Sequence, residues 1–113
     1  METLIIVAVV AVFVLWRMRT AKGIRSISAH QLKQELRDPS KLFIDVRTPV
    51  EFQTRNIKQF RNVPLGSDFS SLPKDKEIVV ICRSGMRSAQ ACKQLKKMGY
   101  ERVTNVRGGI GSY

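Results

Sequence analysis

The chain has 113 residues, of which 43% are hydrophobic, so it can form one domain with a core of its own. Its net charge of +11 favours anionic small molecules or an anionic membrane surface as partners. Nucleic acid is not predicted, because no basic-aromatic stacking pattern is present. Two cysteines and one histidine exclude a closed zinc site without carboxylates, and two cysteines are too few for a disulfide scaffold. We predict no metal and no cofactor.

An uninterrupted apolar run extends over the 13 residues from Leu4 to Trp16. As a helix it would span only about 20 Å, against a hydrocarbon core of roughly 30 Å. No basic segment precedes the run and no small-residue cleavage site follows it, which argues against a signal peptide. We predict an uncleaved transmembrane anchor over residues 1–18, with a buried core helix as the alternative.

Basic residues cluster on the carboxyl-terminal side of this run: Arg17, Arg19, Lys22 and Arg25. By the positive-inside rule they predict a single-pass membrane protein whose remaining chain lies in the cytoplasm. Residues 19–25 are predicted to be a basic linker, and residues 26–113 a folded domain.

Two capping-box sequences predict helices in the first half of the domain. Ser28 and Gln31 have the spacing of one box. Thr48 and Glu51 have the spacing of the other, where Pro49 occupies the first helical position. We expect a helix to begin at each box.

An apolar strand over residues 42–47 precedes the second box and becomes charged where it ends. Asp45 and Arg47 therefore lie at a strand-to-helix junction. We interpret them as an ion pair that supports the neighbouring loop, and direct catalysis is the less favoured alternative.

The apolar segment over residues 77–81 predicts a buried parallel strand that ends at Cys82. A cationic loop follows, and then a helix that ends at Gly99. Open α/β sheets place their sites at such junctions. Because Arg83, Arg87 and the unpaired N–H groups of the helix amino terminus are expected to lower the pKa of the Cys82 thiol, we interpret it as a partly exposed nucleophile. A small buried apolar residue is the alternative.

The remaining segments complete an alternation of strands and helices. Residues 62–65 and 100–106 predict strands, residues 68–72 a short helical turn, and residues 108–111 a flexible end. Cys92 is predicted to be a packing residue of the preceding helix. The alternation indicates an α/β fold with a mainly parallel sheet.

Several motifs together resemble those of the single-domain rhodaneses, and they occur in that family's order. They are Asp45-Val46-Arg47-Thr48-Pro49-x-Glu51-Phe52, Asn62-Val63-Pro64-Leu65, Cys82-Arg83-Ser84-Gly85-Met86-Arg87-Ser88, Gly99-Tyr100 and Gly108-Gly109-Ile110. The resemblance covers about residues 26–111. It implies a rhodanese-like α/β fold with a mainly parallel five-stranded sheet flanked by helices, here preceded by one transmembrane helix.

The resemblance also implies a thiosulfate sulfurtransferase. In this chemistry Cys82 takes a sulfane sulfur from thiosulfate as a persulfide and passes it to a thiophilic acceptor such as cyanide or a thiol. The substrate-binding residues implied are Arg83, Ser84, Gly85, Met86 and Arg87. The supporting residues are Asp45, Arg47, Glu51 and Ser88.

Two other functions remain as alternatives. A cysteine phosphatase or arsenate reductase needs Cys-x5-Arg, whereas Cys82 and Arg87 have the spacing Cys-x4-Arg. A non-catalytic, membrane-tethered docking or persulfide-carrier module would usually lack the cysteine. Residues 55–60 depart from the family's usual Gly-His-Ile-Pro-Gly-Ala, so the backbone of that loop is not predicted.

Overall fold

The computed structural model describes residues 2–21 and 23–113, without the side chains of residues 15–21. In chain order the elements are α1 (Glu2–Ala21), β1 (Ile24–Ile27), α2 (Ala29–Glu35), β2 (Lys41–Asp45), α3 (Pro49–Thr54), β3 (Arg61–Asn62), β4 (Glu77–Ile81), α4 (Met86–Lys97), β5 (Val103–Val106) and a 3-10 helix (Gly109–Ser112), here termed the terminal turn.

The five strands form one parallel sheet in the order β1-β5-β4-β2-β3. Strand β4 is central, since Val79 pairs with Phe43 of β2 on one side and with Thr104 of β5 on the other. Both edges and both faces of β4 are covered, which explains why the strand is apolar nearly throughout. The predicted five-stranded parallel sheet is confirmed.

Side chains at the end of β4 alternate between two hydrophobic clusters. Val80 and Leu95 of α4 belong to the cluster on one face, here termed the α4 cluster. Ile81 and Leu32 of α2 belong to the cluster on the other face, here termed the α2 cluster. Cys82 continues the alternation and belongs to the α4 cluster. The thiol therefore lies against the helix that follows it in the chain.

Both predicted capping boxes are confirmed. The Gln31 backbone N–H donates to Ser28 Oγ at 3.1 Å, and the Ser28 N–H donates to Gln31 Oε1 at 2.9 Å. Thr48 and Glu51 make the equivalent reciprocal bonds at the start of α3. Each box satisfies backbone donors that a helix start leaves without partners.

One expectation for the irregular segments is confirmed and another is wrong. Residues 68–72 contain the predicted short turn, in which the Leu72 N–H donates to the Phe69 carbonyl at 3.0 Å. The predicted flexible end is instead the terminal turn, and the Ile110 side chain is only 5% exposed within the α2 cluster. Burial of that side chain holds the segment against the domain.

The apolar amino-terminal run forms α1, but the transmembrane anchor predicted over residues 1–18 is not supported. Among the described residues, no helix is both long and apolar enough to cross a membrane. The apolar run within α1 has 13 residues, which cover about 20 Å against a hydrocarbon core of roughly 30 Å. Met1 and Lys22, within the predicted anchor and linker, lie outside the described residues. The cytoplasmic location stays a prediction.

Asp45 and Arg47 form the expected ion pair at the end of β2, and it is buried. Arg47 Nε donates to Asp45 Oδ1 at 3.0 Å and Arg47 Nη2 donates to Asp45 Oδ2 at 2.8 Å. Nη2 also donates to the Arg55 carbonyl at 2.6 Å. The pair therefore ties β2 to the carboxyl end of α3.

Replacing Arg47 with alanine is expected to lower the free energy of unfolding by about 3 kcal/mol or more, because it leaves the Asp45 carboxylate buried without its partner. Chemical denaturation measures the change. Arg37→Ala, at an exposed position, is the control and should change stability by less than about 0.5 kcal/mol. A loss below about 1 kcal/mol in Arg47→Ala would contradict the supporting role.

Candidate functional site

Cys82 follows β4 directly and is covered by its own loop. Its relative exposure is 0%, so the partly exposed setting expected from the sequence is not found. The Gly85 N–H donates to Cys82 Sγ at 3.0 Å, and Ser88 Oγ lies 3.3 Å from the same sulfur. Residues 83–85, here termed the Cys82 loop, thus fold back over the thiol before α4 begins.

The terminal turn holds the outer side of the Cys82 loop. The Ile110 N–H donates to the Cys82 carbonyl at 2.9 Å, and the Gly111 N–H donates to the Arg83 carbonyl at 3.0 Å. In a trans peptide the carbonyl of one residue and the N–H of the next point in opposite directions. These two bonds therefore direct the N–H groups of Arg83 and Ser84 away from the terminal turn and into the loop.

Two glycines permit this close approach. Gly85 has φ +101°, and Gly109 has φ +56°, a backbone region that other residues rarely adopt. A Cβ atom at Gly109 would lie 2.1 Å from the Cys82 carbonyl oxygen. Neither position therefore accepts a side chain unless the loop moves.

The surroundings of Cys82 favour its thiolate. Burial raises the pKa of the thiol, but a hydrogen bond with the Ser88 hydroxyl and bonds from the N–H groups of Ser88, Gly85 and Ser84 outweigh it, so the pKa lies below its ordinary value. The expected donors of the loop and of the amino terminus of α4 are thus present, and the thiolate also attracts the Arg87 guanidinium. Burial raises the pKa of Cys92 to about 12, which keeps that thiol neutral.

Arg87 pairs with Glu51, which joins α4 to α3 beside the site. Nη1 and Nη2 donate to Glu51 Oε1 and Oε2 at 2.7 and 2.9 Å. The bonds from Arg87 hold the pKa of the Glu51 carboxyl at about 2. A carboxylate here offsets the cation at the amino terminus of α4, where a positive charge is otherwise unfavourable. A guanidinium has five N–H groups, so three remain for a ligand.

The other predicted substrate-binding residues lie on the outer side of the loop. Arg83, Ser84 and Met86 are exposed, and Met86 is the first residue of α4. A cavity of about 470 Å³ separates the Cys82 loop from α3. Its lining residues are Arg47, Val50, Glu51, Thr54, Arg55, Arg83, Ile110 and Gly111. Arg83 therefore presents a cation to a space large enough for a small anion.

Two components of the site were not identified from the sequence. One is the terminal turn, whose role rests on backbone groups that carry no sequence signal. The other is Asn105 of β5, whose Oδ1 accepts a hydrogen bond from Ser88 Oγ at 2.5 Å. A polar residue between Thr104 and Val106 in a short buried strand is a signal for such a role.

Asp45 makes no contact with the sulfur. Its carboxylate pairs with Arg47, which in turn binds the carboxyl end of α3.

Comparisons with known proteins agree with this architecture. The Rhodanese-like domain family matches residues 28–113. A sulfurtransferase of Allochromatium vinosum is 41% identical over 91 residues, covering 77% of this chain and 85% of the relative. The crystal structure of a rhodanese-like domain protein from Staphylococcus aureus has a TM-score of 0.72 at 27% identity, covering 79% of this chain and 90% of that one. A rhodanese-related protein from Thermoplasma volcanium has a TM-score of 0.69 at 35% identity, with coverage of 78% and 88%.

The two cysteines are expected to differ in reactivity. At neutral pH, iodoacetamide should alkylate Cys82 well before Cys92, because only a thiolate reacts and only the Cys82 pKa is lowered. Peptide mass spectrometry over a pH series measures both rates. Cys92→Ala is the matched control: it should leave the Cys82 rate unchanged and cost about 1 kcal/mol of stability. Faster labelling of Cys92 would contradict the assignment.

Proposed function

This chain belongs to the rhodanese-like domain family, and we propose that it transfers sulfur from thiosulfate or a related sulfane donor through a persulfide on Cys82. The predicted rhodanese-like α/β fold is that of the family. Sulfurtransferases among its relatives support sulfur transfer at the level of the family. The finer assignment, to thiosulfate and a persulfide, is argued from the site.

The observation that carries the proposal is the ring of hydrogen-bonding groups around the Cys82 sulfur. The N–H of Gly85 and the hydroxyl of Ser88 lie 3.0 and 3.3 Å from it. The N–H groups of Ser84 and Ser88 add to them in stabilising the thiolate. Such a ring also suits the terminal sulfur of a persulfide, which carries negative charge and needs fixed donors in a site closed to water.

The first half of the proposed reaction loads the sulfur. The Cys82 thiolate attacks the outer sulfur of thiosulfate and forms a new S–S bond. The original S–S bond of the donor breaks, and its electron pair leaves with sulfite. Because Cys82 is 0% exposed, the Cys82 loop opens to admit the donor, and the Gly85 N–H is then released from Sγ to bind the incoming group.

The second half returns the protein to its starting state. A thiophilic acceptor, either cyanide or a thiolate, attacks the terminal sulfur of the persulfide. The S–S bond breaks, its electron pair stays on Cys82, and the acceptor leaves as thiocyanate or as a new persulfide. Donor and acceptor therefore react in turn at one sulfur, which is a ping-pong cycle.

Arginines provide the counter-charge for the donor. Arg83 is exposed and lines the cavity beside the loop, so it meets the sulfonate-like head of thiosulfate first. Arg87 keeps three N–H groups that are not used by Glu51. Contacts between a guanidinium and an anionic oxygen are short and roughly twice as strong as neutral hydrogen bonds.

After incubation with thiosulfate, the purified full chain is expected to gain the mass of one sulfur atom on the Cys82 peptide and to lose it when cyanide is added. Intact and peptide mass spectrometry measure both steps. Cys82→Ser should abolish the adduct and turnover while the circular dichroism stays unchanged. Cys92→Ala is the matched control and should still acquire the sulfur. If the wild-type chain never gains sulfur from any sulfane donor, the docking-module alternative replaces this proposal.

Arg87→Ala is expected to raise the KM for thiosulfate by one to two orders of magnitude, since a charge-assisted contact of roughly 1.5–3 kcal/mol is lost. Steady-state kinetics with cyanide as the acceptor measure it. Arg37→Ala, at an exposed position in the turn after α2, controls for the loss of one positive charge. An unchanged KM would remove Arg87 from donor binding.

A further inference from the structure

The Ser88 hydroxyl lies between two groups that accept hydrogen bonds. Its Oγ is 3.3 Å from Cys82 Sγ and 2.5 Å from Asn105 Oδ1, and Ser88 is 0% exposed. Burial keeps water from supplying a further partner. The three side chains come from separate parts of the fold: the end of β4, the first turn of α4 and the middle of β5.

A hydroxyl has one proton to donate. In this structure the shorter bond runs from Ser88 to Asn105, so the proton lies on the far side of Oγ from the sulfur. The lone pairs of Oγ then face Cys82, where they can accept a hydrogen bond from a neutral S–H group. A thiolate instead requires the Ser88 proton to turn toward the sulfur, and the Asn105 carbonyl oxygen then loses its donor.

The orientation of the Asn105 amide is fixed from two directions. Its Nδ2 donates to the Gly85 carbonyl at 3.3 Å, and its backbone is held in β5, where it pairs with Val80 of β4 and Ser26 of β1. Oδ1 is thereby directed at Ser88. The competition for the hydroxyl proton therefore follows from the position of Asn105 in the sheet.

We propose that Asn105 is a positioning residue, which competes with the sulfur of Cys82 for the single proton of the Ser88 hydroxyl. Asn105 does not line the cavity; it acts on the sulfur through Ser88, while its bond to the Gly85 carbonyl orients its amide. In the absence of substrate, this competition favours the neutral thiol of Cys82 more than the donors of the loop alone would. The inference rests on the proposed role of Cys82 as the nucleophile.

Other groups also influence the titration of Cys82. The charged and titratable groups around the sulfur are Arg83 on the Cys82 loop, Arg87 and Cys92 on α4, Glu51 on α3, Asp45 and Arg47 at the end of β2, and Arg107 after β5. Substitutions at Ser88 and Asn105 keep every charge in this set and add none. A change in the titration midpoint therefore reports on the hydroxyl and the amide.

The test titrates the Cys82 thiolate by its ultraviolet absorbance in the full chain carrying Cys92→Ala, with added Cys82→Ser as the baseline. Asn105→Leu has a similar size but accepts no hydrogen bond, so it frees the Ser88 proton for the sulfur. We expect the midpoint to fall by roughly one pH unit. In a Ser88→Ala background the same substitution should leave the midpoint unchanged, which is the signature of action through the hydroxyl.

Thr104→Val is the matched control, because Thr104 is the buried neighbour in β5 and its hydroxyl has no partner among the described residues. It should not move the midpoint. Circular dichroism checks the fold, and Asn105→Ala replaces the leucine variant if that one does not fold. A midpoint that stays or rises, or that falls equally without Ser88, overturns the inference. The titration uses no sulfur donor, so its outcome is independent of whether Cys82 ever carries a persulfide.

Discussion

The backbone bonds from the terminal turn to the Cys82 loop are the constraint on which the site depends. Ile110 and Gly111 bind the carbonyl groups of Cys82 and Arg83, and this fixes which way the intervening peptide planes face. Once the carbonyls point outward, the N–H groups of Arg83 and Ser84 face the inside of the loop, and the Ser84 N–H is one of the donors that lower the pKa of Cys82. The Gly85 N–H and the Ser88 hydroxyl complete the set of groups around the sulfur from the end of the loop and the first turn of α4.

This constraint follows from the order of the sheet. Strands β4 and β5 are parallel neighbours, so their carboxyl ends meet at the same edge. The chain that leaves β5 at Val106 is thereby brought directly over the loop that leaves β4 at Ile81. Gly109 lets the two backbones touch, and the buried Ile110 side chain holds the contact in place.

Sequence reasoning succeeded where the signal is local. The two capping boxes and the apolar strand before Cys82 each depend on residues within a few positions of one another, and each is found in the structure. It failed where distant segments meet: the burial of Cys82 and the ordered terminal turn depend on backbone contacts between the Cys82 loop and the terminal turn. The transmembrane prediction is not supported among the described residues, and the core-helix alternative is not found either, since apolar side chains of α1 such as Leu4 and Phe13 are exposed.

Burial of the Cys82 sulfur also bears on the working lifetime of the protein. Irreversible oxidation of a cysteine begins when an oxidant reaches the thiolate. With the loop closed, the sulfur of Cys82 is out of reach of an oxidant in solution. If the proposed sulfur donor enters by an opening of the Cys82 loop, peroxide can use the same opening, and the two would compete for the thiolate.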